Sequence, residues 1–325
     1  MLKAQFEIEV TTPLFLGGAD QVTAELRPPS FRGAMRYWYR ALIGGVTGGT
    51  LEKVRQREAR VFGKSEHGSP IRVRITAVQA PSSPSPAFWQ DQNRAGIRYL
   101  FWSMLGSSNR SPRQCYPPGT RFTLLLTASE KDQQLLQEAI IALWLLIHCG
   151  GVGARSRRCA GSLALRSSTL SFASEISLPE WLSGRARNFQ ELVDTLTMGF
   201  QEIKRFYKLE KLAEPEIRSF DVISPLTCSI CVNTKEKPLK SVEDALDAVG
   251  RSYQDYRRKL SDRERMALGL PFGKHKGRLA SPLHLHITAL EQEYVCVATC
   301  FDACPKKEPP QGEKSCQWIS KKIPL

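Results

Sequence analysis

The sequence predicts an α+β protein with antiparallel sheets, and three observations predict it. Strand-like runs that alternate apolar and polar residues are interleaved with amphipathic stretches of helical period. In the first half their order is strand, helix, strand, strand, helix, strand, with one extra strand inserted. The chain has 325 residues, 42% of them hydrophobic, which is enough apolar material for two packed cores.

Taken in order, residues 4–11 alternate as a strand with Phe6, Ile8 and Val10 on one face. A turn follows at Gly17 and Gly18. Ser30 is placed to cap a helix from Phe31 to about Gly44 and Gly45, and a second helix covers 51–62. Strand patterns recur at 71–78, 97–102 and 121–127. A long apolar helix over 131–148 leads into a glycine-rich stretch, 150–161, and then a strand at 162–170. This is the split βαβ plan of a ferredoxin-like domain, an antiparallel sheet with helices on one face. RNA-recognition modules of this plan use the open face. The second half partly repeats the pattern. It has helices at 189–207 and 241–260, a strand at 225–232, and a hairpin of 283–289 with 294–301. The expectation is therefore two ferredoxin-like (RRM-like) βαββαβ domains. The N-terminal one covers 1–173 and carries the glycine-rich loop, and the C-terminal one covers 174–325.

Lys and Arg number 46 against 32 Asp and Glu, a net charge of +14. A balance this basic favours a polyanionic partner, nucleic acid before an anionic membrane, because no terminal basic amphipathic helix is present. The longest strongly apolar run, 139–147, is far short of the ~20 residues of a membrane span. The first ten residues lack the apolar core of a signal peptide. These features predict a soluble, cytoplasmic protein. Nine cysteines without an export signal read as reduced thiols. Cys228 and Cys231 form a CxxC, and Cys296, Cys300, Cys304 and Cys316 lie toward the C-terminus. Two ligands from each group would make a structural zinc site. The C-terminal spacing is not that of a zinc knuckle, so no metal or cofactor is expected.

Three features carry the expected chemistry. On the first helix, Phe31, Met35, Trp38 and Leu42 form a core stripe, and Arg32, Arg36 and Arg40 form an adjacent row at i, i+4, i+8. Like charges at that spacing repel, and a row of phosphates would relieve them through bidentate forks. The bland alternative is a solvated face paired to carboxylates elsewhere. The second feature is the loop containing Gly151, Gly153, Arg155, Ser156, Arg157 and Arg158. Its free N–H groups would form an anion nest with three fixed guanidiniums beside it. The loop is neither a Walker A motif nor a dinucleotide fingerprint. The third is the basic segment with Lys274 and Lys276 between two glycines and Arg278 just after the second, a second phosphate clamp or a solvated loop. With Gly17 and Gly18, these residues form the expected RNA-binding set. No catalytic residue is assigned, since no nucleophile–base set or carboxylate cluster is present. His284 and His286 alternate on one strand, and a metal-independent ribonuclease would use one of them as general base.

Residues 12–19 (Thr-Pro-Leu-Phe-Leu-Gly-Gly-Ala) and 25–42, including Arg32-Gly33-Ala34-Met35-Arg36-Tyr37-Trp38, resemble a known family. They are similar to the first RAMP subunit of the Cmr complex, a type III-B CRISPR effector. The stretch 150–161 matches that family's glycine-rich loop, and Leu270-Pro271-Phe272-Gly273 with 278–283 matches its C-terminal segment. The resemblance implies two ferredoxin-like domains and a place at the end of a ribonucleoprotein that holds the 3′ region of the guide. Its implied partners are guide (CRISPR) RNA, complementary target RNA and other RAMP subunits, with no membrane and no small-molecule substrate. It also implies a non-catalytic role in antiviral defence. One departure is Cys159-Ala160-Gly161, where the family pattern leads one to expect Gly-Phe-Gly. That predicts a stiffer loop. The rival readings are a RAMP-family, metal-independent endoribonuclease acting on CRISPR repeat RNA, and a scaffold that touches only protein.

Overall fold

The computed structural model describes residues 1–20, 23–48, 50–81, 93–106, 111–173, 186–214, 220–233, 238–269, 280–302 and 321–323. Alternation seeds the first sheet. In β1 (Leu2–Val10) the even positions Leu2, Ala4, Phe6, Ile8 and Val10 are buried. β1 lies between β3 (Arg121–Ala128) and β4 (Leu163–Leu170), and β2 (Arg72–Gln79) pairs with the far side of β3. All pairs are antiparallel and the order is β2-β3-β1-β4, the ferredoxin-like arrangement.

One face of this sheet is covered by α1 (Pro28–Thr47) and α4 (Gln133–Cys149), with α2 (Leu51–Phe62) beside them. α1 starts three residues before the expected Phe31. Arg27 takes the N-cap position and Pro28 and Pro29 open the first turn, where a missing N–H costs nothing. Ser30 is therefore inside the helix and not its cap.

The expected strand at 97–102 is instead a helix, α3 (Ala95–Phe101), continued by a one-turn 3-10 helix, Trp102–Met104. A short apolar run rich in aromatic residues does not by its period separate strand from helix. Tertiary packing decides it here. Without this strand the first unit reads βαββαβ, plus the helices α2 and α3.

The second sheet holds β5 (Cys228–Asn233), β6 (Leu283–Ala289), β7 (Tyr294–Phe301) and β8 (Lys321–Ile323), in the order β6-β7-β5-β8. This is the same order as in the first sheet. Before it comes α5 (Phe189–Phe206), and between β5 and β6 lie α6 (Val242–Arg258) and the short α7 (Asp262–Ala267). Asn188 and Ser241 cap α5 and α6 by accepting from the N–H groups of Glu191 and Asp244. The second helix of a ferredoxin-like unit would fall in 303–320, outside the described residues.

The second sheet is buried on both faces. Cys228, Ile230, Val232, Val295, Val297 and Phe301 join the core built on α1, α4 and α5. Cys231, Leu285, Ile287, Cys296, Ala298 and Cys300 join a second core with α6 and α3. The two sheets thus fall on either side of residue 173, while α3, from the N-terminal side, packs in the C-terminal core. α3 and α6 cross at Gly96 and Gly250. A Cβ on Gly96 would lie 2.0 Å from the Asp247 carbonyl oxygen, and one on Gly250 would lie 2.1 Å from that of Gly96. Among the described residues, no helix is long and apolar enough to cross a membrane.

Candidate nucleic-acid interface

The arginine row on α1 meets a carboxylate that its own helix does not supply. Glu58 of α2 accepts from Arg36 Nε at 2.6 Å and from Arg40 Nη1 at 3.0 Å. Arg32 reaches the Ile71 carbonyl at 3.4 Å. The repulsion expected along the row is therefore partly relieved inside the protein. One carboxylate does not neutralise the face, however. Lys53, Arg55 and Arg60 stand exposed on α2, and Arg57 packs over the Tyr207 ring. Against Arg32, Arg36, Arg40 and these four, the two helices offer only Glu52 and Glu58. The side chains of Arg36 and Arg40 remain 36% and 42% exposed, so each keeps N–H groups for an outside anion.

The glycine-rich loop lies elsewhere, wedged between the two sheet units. Its N–H groups are not the free nest that the sequence suggests. Val152 N donates to Gly161 O, Ala154 N to Phe15 O, Cys159 N to Leu285 O and Gly161 N to Pro13 O. Gly153 has φ +88°, and a Cβ there would meet the Phe15 carbonyl oxygen at 2.5 Å. A Cβ on Gly151 would meet the Ala160 oxygen at 2.8 Å. The close backbone approach that these glycines permit is to this chain's own backbone. Gly17 and Gly18 sit in the turn just after Phe15. Gly17 bridges Ala24, and Gly18 N donates to Thr23 O.

The loop arginines also turn inward. Arg155 has a left-handed backbone, φ +62°, and donates through Nε to Leu100 O of α3. Ser156 and Arg157 continue a single 3-10 turn, Ser156–Arg158. Arg157 donates to the Ser281 carbonyl, stands over the Tyr37 ring and lies 3.9 Å from Asp221. Arg158 is 7% exposed. It donates to the carbonyls of Leu283, Leu268 and its neighbour Arg157, and stacks 4.7 Å above the Tyr253 ring. Burial pulls the Arg155 pKa down to about 10, and Arg158 beside it pulls in the same direction. These guanidiniums tie the loop to α3, α6 and β6. Tyr37, Asp221 and Tyr253 are the partners that sequence reasoning missed. Tyr37 alone left a signal, inside the 25–42 stretch that carries the family resemblance.

His284 and His286 do not face an open surface. His286 is 1% exposed, and its Nδ1 donates to Gly150 O at 2.7 Å. Burial holds its pKa at about 4. His284 stacks on Tyr37, and its Nε2 lies 2.9 Å from the Tyr37 hydroxyl. That hydroxyl donates to Asp221, so Nε2 is the donor to it. Burial first, and then Arg157 and Arg158, push the His284 pKa well down. Burial and the Asp221 carboxylate raise that of Tyr37.

The CxxC is split by its strand. Three residues apart on β5, Cys228 faces the first core and Cys231 the second, so the two thiols cannot join as half of one zinc site. Among the described residues no cluster of three metal-ligating side chains occurs. Cys304, Cys316, Lys274, Lys276 and Arg278 lie outside the described residues.

The fold and its glycine loop define a RAMP-type protein, and the model of the RAMP superfamily matches residues 7–164. The chain is 28% identical over 300 residues to the CRISPR system Cmr subunit Cmr1-1 of Pyrococcus furiosus, covering 87% of this chain and 82% of that one. Over 182 residues it is 31% identical to Cmr1-2 of the same organism, covering 51% of this chain and 96% of that protein. The crystal structure of apo Cmr1 from Pyrococcus furiosus superposes with a TM-score of 0.68 at 26% identity, over 95% of this chain and 90% of that one. A chain from the type III-B Cmr-beta complex bound to cognate target RNA shares the fold, with a TM-score of 0.62 at 12% identity. The chain belongs to the RAMP superfamily, among the Cmr1 subunits of the CRISPR Cmr system.

Proposed function

We propose that this chain is a non-catalytic, RNA-binding subunit of a type III-B CRISPR effector complex. In this reading it works in the cytoplasm, contacts the guide RNA toward its 3′ region, meets the complementary target RNA, and sits beside other RAMP subunits. The observation that carries the reading is the end-to-end likeness to Cmr1, which spans both sheet units and the loop between them.

The geometry divides the labour. Arg32, Arg36 and Arg40, with the cations of α2, offer a solvent-facing basic strip for phosphates. Arg155, Arg157 and Arg158 position the loop and join the two units. Gly17 and Gly18 keep the neighbouring turn low, and Lys274, Lys276 and Arg278 are assigned as a second phosphate clamp. A general base needs to reach its substrate's proton, and both His284 and His286 are engaged inside the protein. That supports a role without chemistry, and the reading needs no metal or cofactor.

The test is reconstitution with the other complex subunits and guide RNA, comparing the native chain with an Arg32→Ala/Arg40→Ala variant that leaves Glu58 paired to Arg36. The variant assembles, and its RNA affinity depends less on salt, by about 0.7 in log–log slope for each phosphate that is no longer neutralised. An unchanged slope in an intact complex removes the phosphate role from this strip.

A further inference from the structure

We propose that the outer face of the first sheet contains a single-nucleotide pocket, in which Arg121 and Arg166 take the phosphate of a single-stranded RNA and Glu7 takes its sugar or base. This rests on the reading above of an RNA-binding subunit, but it uses a surface separate from the α1–α2 strip.

The odd residues of β1 point away from the core and define this face. Across the strands they fall into rows: Arg72, Thr127 and Lys3, then Arg74, Leu125, Gln5 and Thr169, then Thr76, Thr123, Glu7 and Ser167, then Gln79, Arg121 and Glu9. Irregularities on both sides open a hollow at the last two rows. β1 and β4 shift register between Glu7 and Ile8, and β2 and β3 shift between Thr76 and Gln79. Within the second shift Ala77 has φ +51°, a left-handed conformation that costs a non-glycine residue on the order of 1 kcal/mol. Bulges collect where a sheet re-aims side chains at a site. The result is a cavity of about 360 Å³ lined by Glu7, Ala77, Gln79, Arg121, Arg166 and Ser167.

Its electrostatics are preset. Glu9 is 6% exposed, and its Oε2 accepts from Arg121 Nε at 3.0 Å and from Arg166 Nε at 2.8 Å. One buried carboxylate thus fixes two guanidiniums. Arg121 remains 59% exposed, and among the described residues its terminal amino groups meet no protein acceptor. Fixed guanidinium N–H groups match phosphate oxygens. Glu7, two residues along β1 and therefore about 7 Å away, supplies the complementary acceptor. Thr123 and Gln5 both donate to its Oε1, leaving Oε2 for a ligand hydroxyl or amino group. A carboxylate at that place repels an acidic peptide, whereas a nucleotide offers an anion at one end and donors at the other. Lys3, Arg72 and Arg74 in the next rows carry the basic track onward for neighbouring phosphates. No aromatic residue stands in these rows, so the base is held by hydrogen bonds and guanidinium faces, unlike the aromatic stacking of typical RNA-recognition sheets.

The test uses the purified full chain with fluorescent octauridylate and octathymidylate, and octauridylate carrying 4-thiouridine for crosslinking. Arg121→Ala keeps Arg166 on Glu9 and therefore keeps the fold, as an unchanged melting temperature would register. It weakens octauridylate binding by about tenfold, in line with the loss of a charge-assisted bond. Glu7→Ala narrows the preference for RNA over DNA, and crosslinks map to peptides containing 72–81, 121–128 or 163–170. If the native chain binds octauridylate while both variants bind it equally well and crosslinks fall elsewhere, the pocket is overturned and the RNA-binding reading stands. If the native chain binds no RNA either alone or in the assembled complex, both fall.

Discussion

Cys159 has φ +65° and no solvent exposure, in the glycine-loop position where the family pattern predicts glycine. The backbone keeps the left-handed turn all the same, and the buried thiol packs in the second core, which also holds Cys296. Such a conformation costs a non-glycine residue on the order of 1 kcal/mol. Cys159→Ala removes the thiol and keeps the strain, while Cys159→Gly removes both. The glycine variant should therefore be at least as stable as the alanine variant despite its greater unfolded-state entropy. Thermal unfolding of the pair decides it, and a glycine variant markedly less stable than alanine would show that the turn is not strained. Arg158 supports a second prediction at this scale. Arg158→Met keeps the bulk but strands the carbonyl of Leu268, at about 1–3 kcal/mol for an unsatisfied group, and leaves that of Leu283 only the Ser281 hydroxyl. Denaturant unfolding should show a loss of about 1–3 kcal/mol, more than for the exposed Arg55→Met. The arginine-rich composition of this loop was plain in the sequence, but its direction was not. The carbonyls of Ser281, Leu283 and Leu268 that receive Arg157 and Arg158 lie more than a hundred residues along the chain, and a backbone acceptor leaves no mark on residue identity.

At the scale of elements, periodicity carried most of the information. β1, β3, β4 and the long helices fall where alternation or the 3.6-residue repeat places them, because one face of each is buried and the other is not. α3 escaped for the opposite reason. Ile97, Leu100 and Phe101 are buried, but the helix is only seven residues long, too short to display a period. Gly96 also reads locally as a breaker, whereas its purpose is the crossing with Gly250. That crossing has no room for a methyl group, since a Cβ on either glycine would press on backbone that cannot rotate away. Gly96→Ala and Gly250→Ala should each cost about 1–3 kcal/mol through overpacking, even though alanine favours a helix more than glycine does. Calorimetry checks the sign. A gain in stability from either substitution would mean that the helices sit further apart than described. Glu58 is a related case, because the carboxylate that answers the α1 arginines belongs to the next helix and its relevance depends on how the two pack.

At the scale of the molecule, the buried histidines set an acid limit. The folded-state pKa of His286 is held at about 4 by burial, against an ordinary value of 6.5. Below pH 6.5 the unfolded chain therefore binds a proton that the folded chain refuses until about pH 4. The contribution of this neutral histidine to stability is complete above pH 6.5 and drains away as pH falls through that window, by on the order of 3 kcal/mol at pH 4. His148, pushed to about 3 by burial, adds in the same direction. Unfolding free energy measured from pH 7.5 to 4.5 should fall steadily in the native chain and fall less steeply in His286→Asn. Equal slopes would show that the ring titrates freely in the fold. The division into two similar sheets was also legible from the sequence. The covering of the second sheet on both faces was not, because it depends on helices from the other half of the chain. The placement of α3 has a further consequence during synthesis. Its partner helix ends at Arg258, 157 residues after Phe101. At ribosomal rates of about 5–20 residues per second, Ile97, Leu100 and Phe101 wait roughly 8–30 s for the surface they bury against. For that interval the nascent chain carries an adhesive apolar helix, so the yield of folded protein should depend on chaperones that shield it until the C-terminal half arrives.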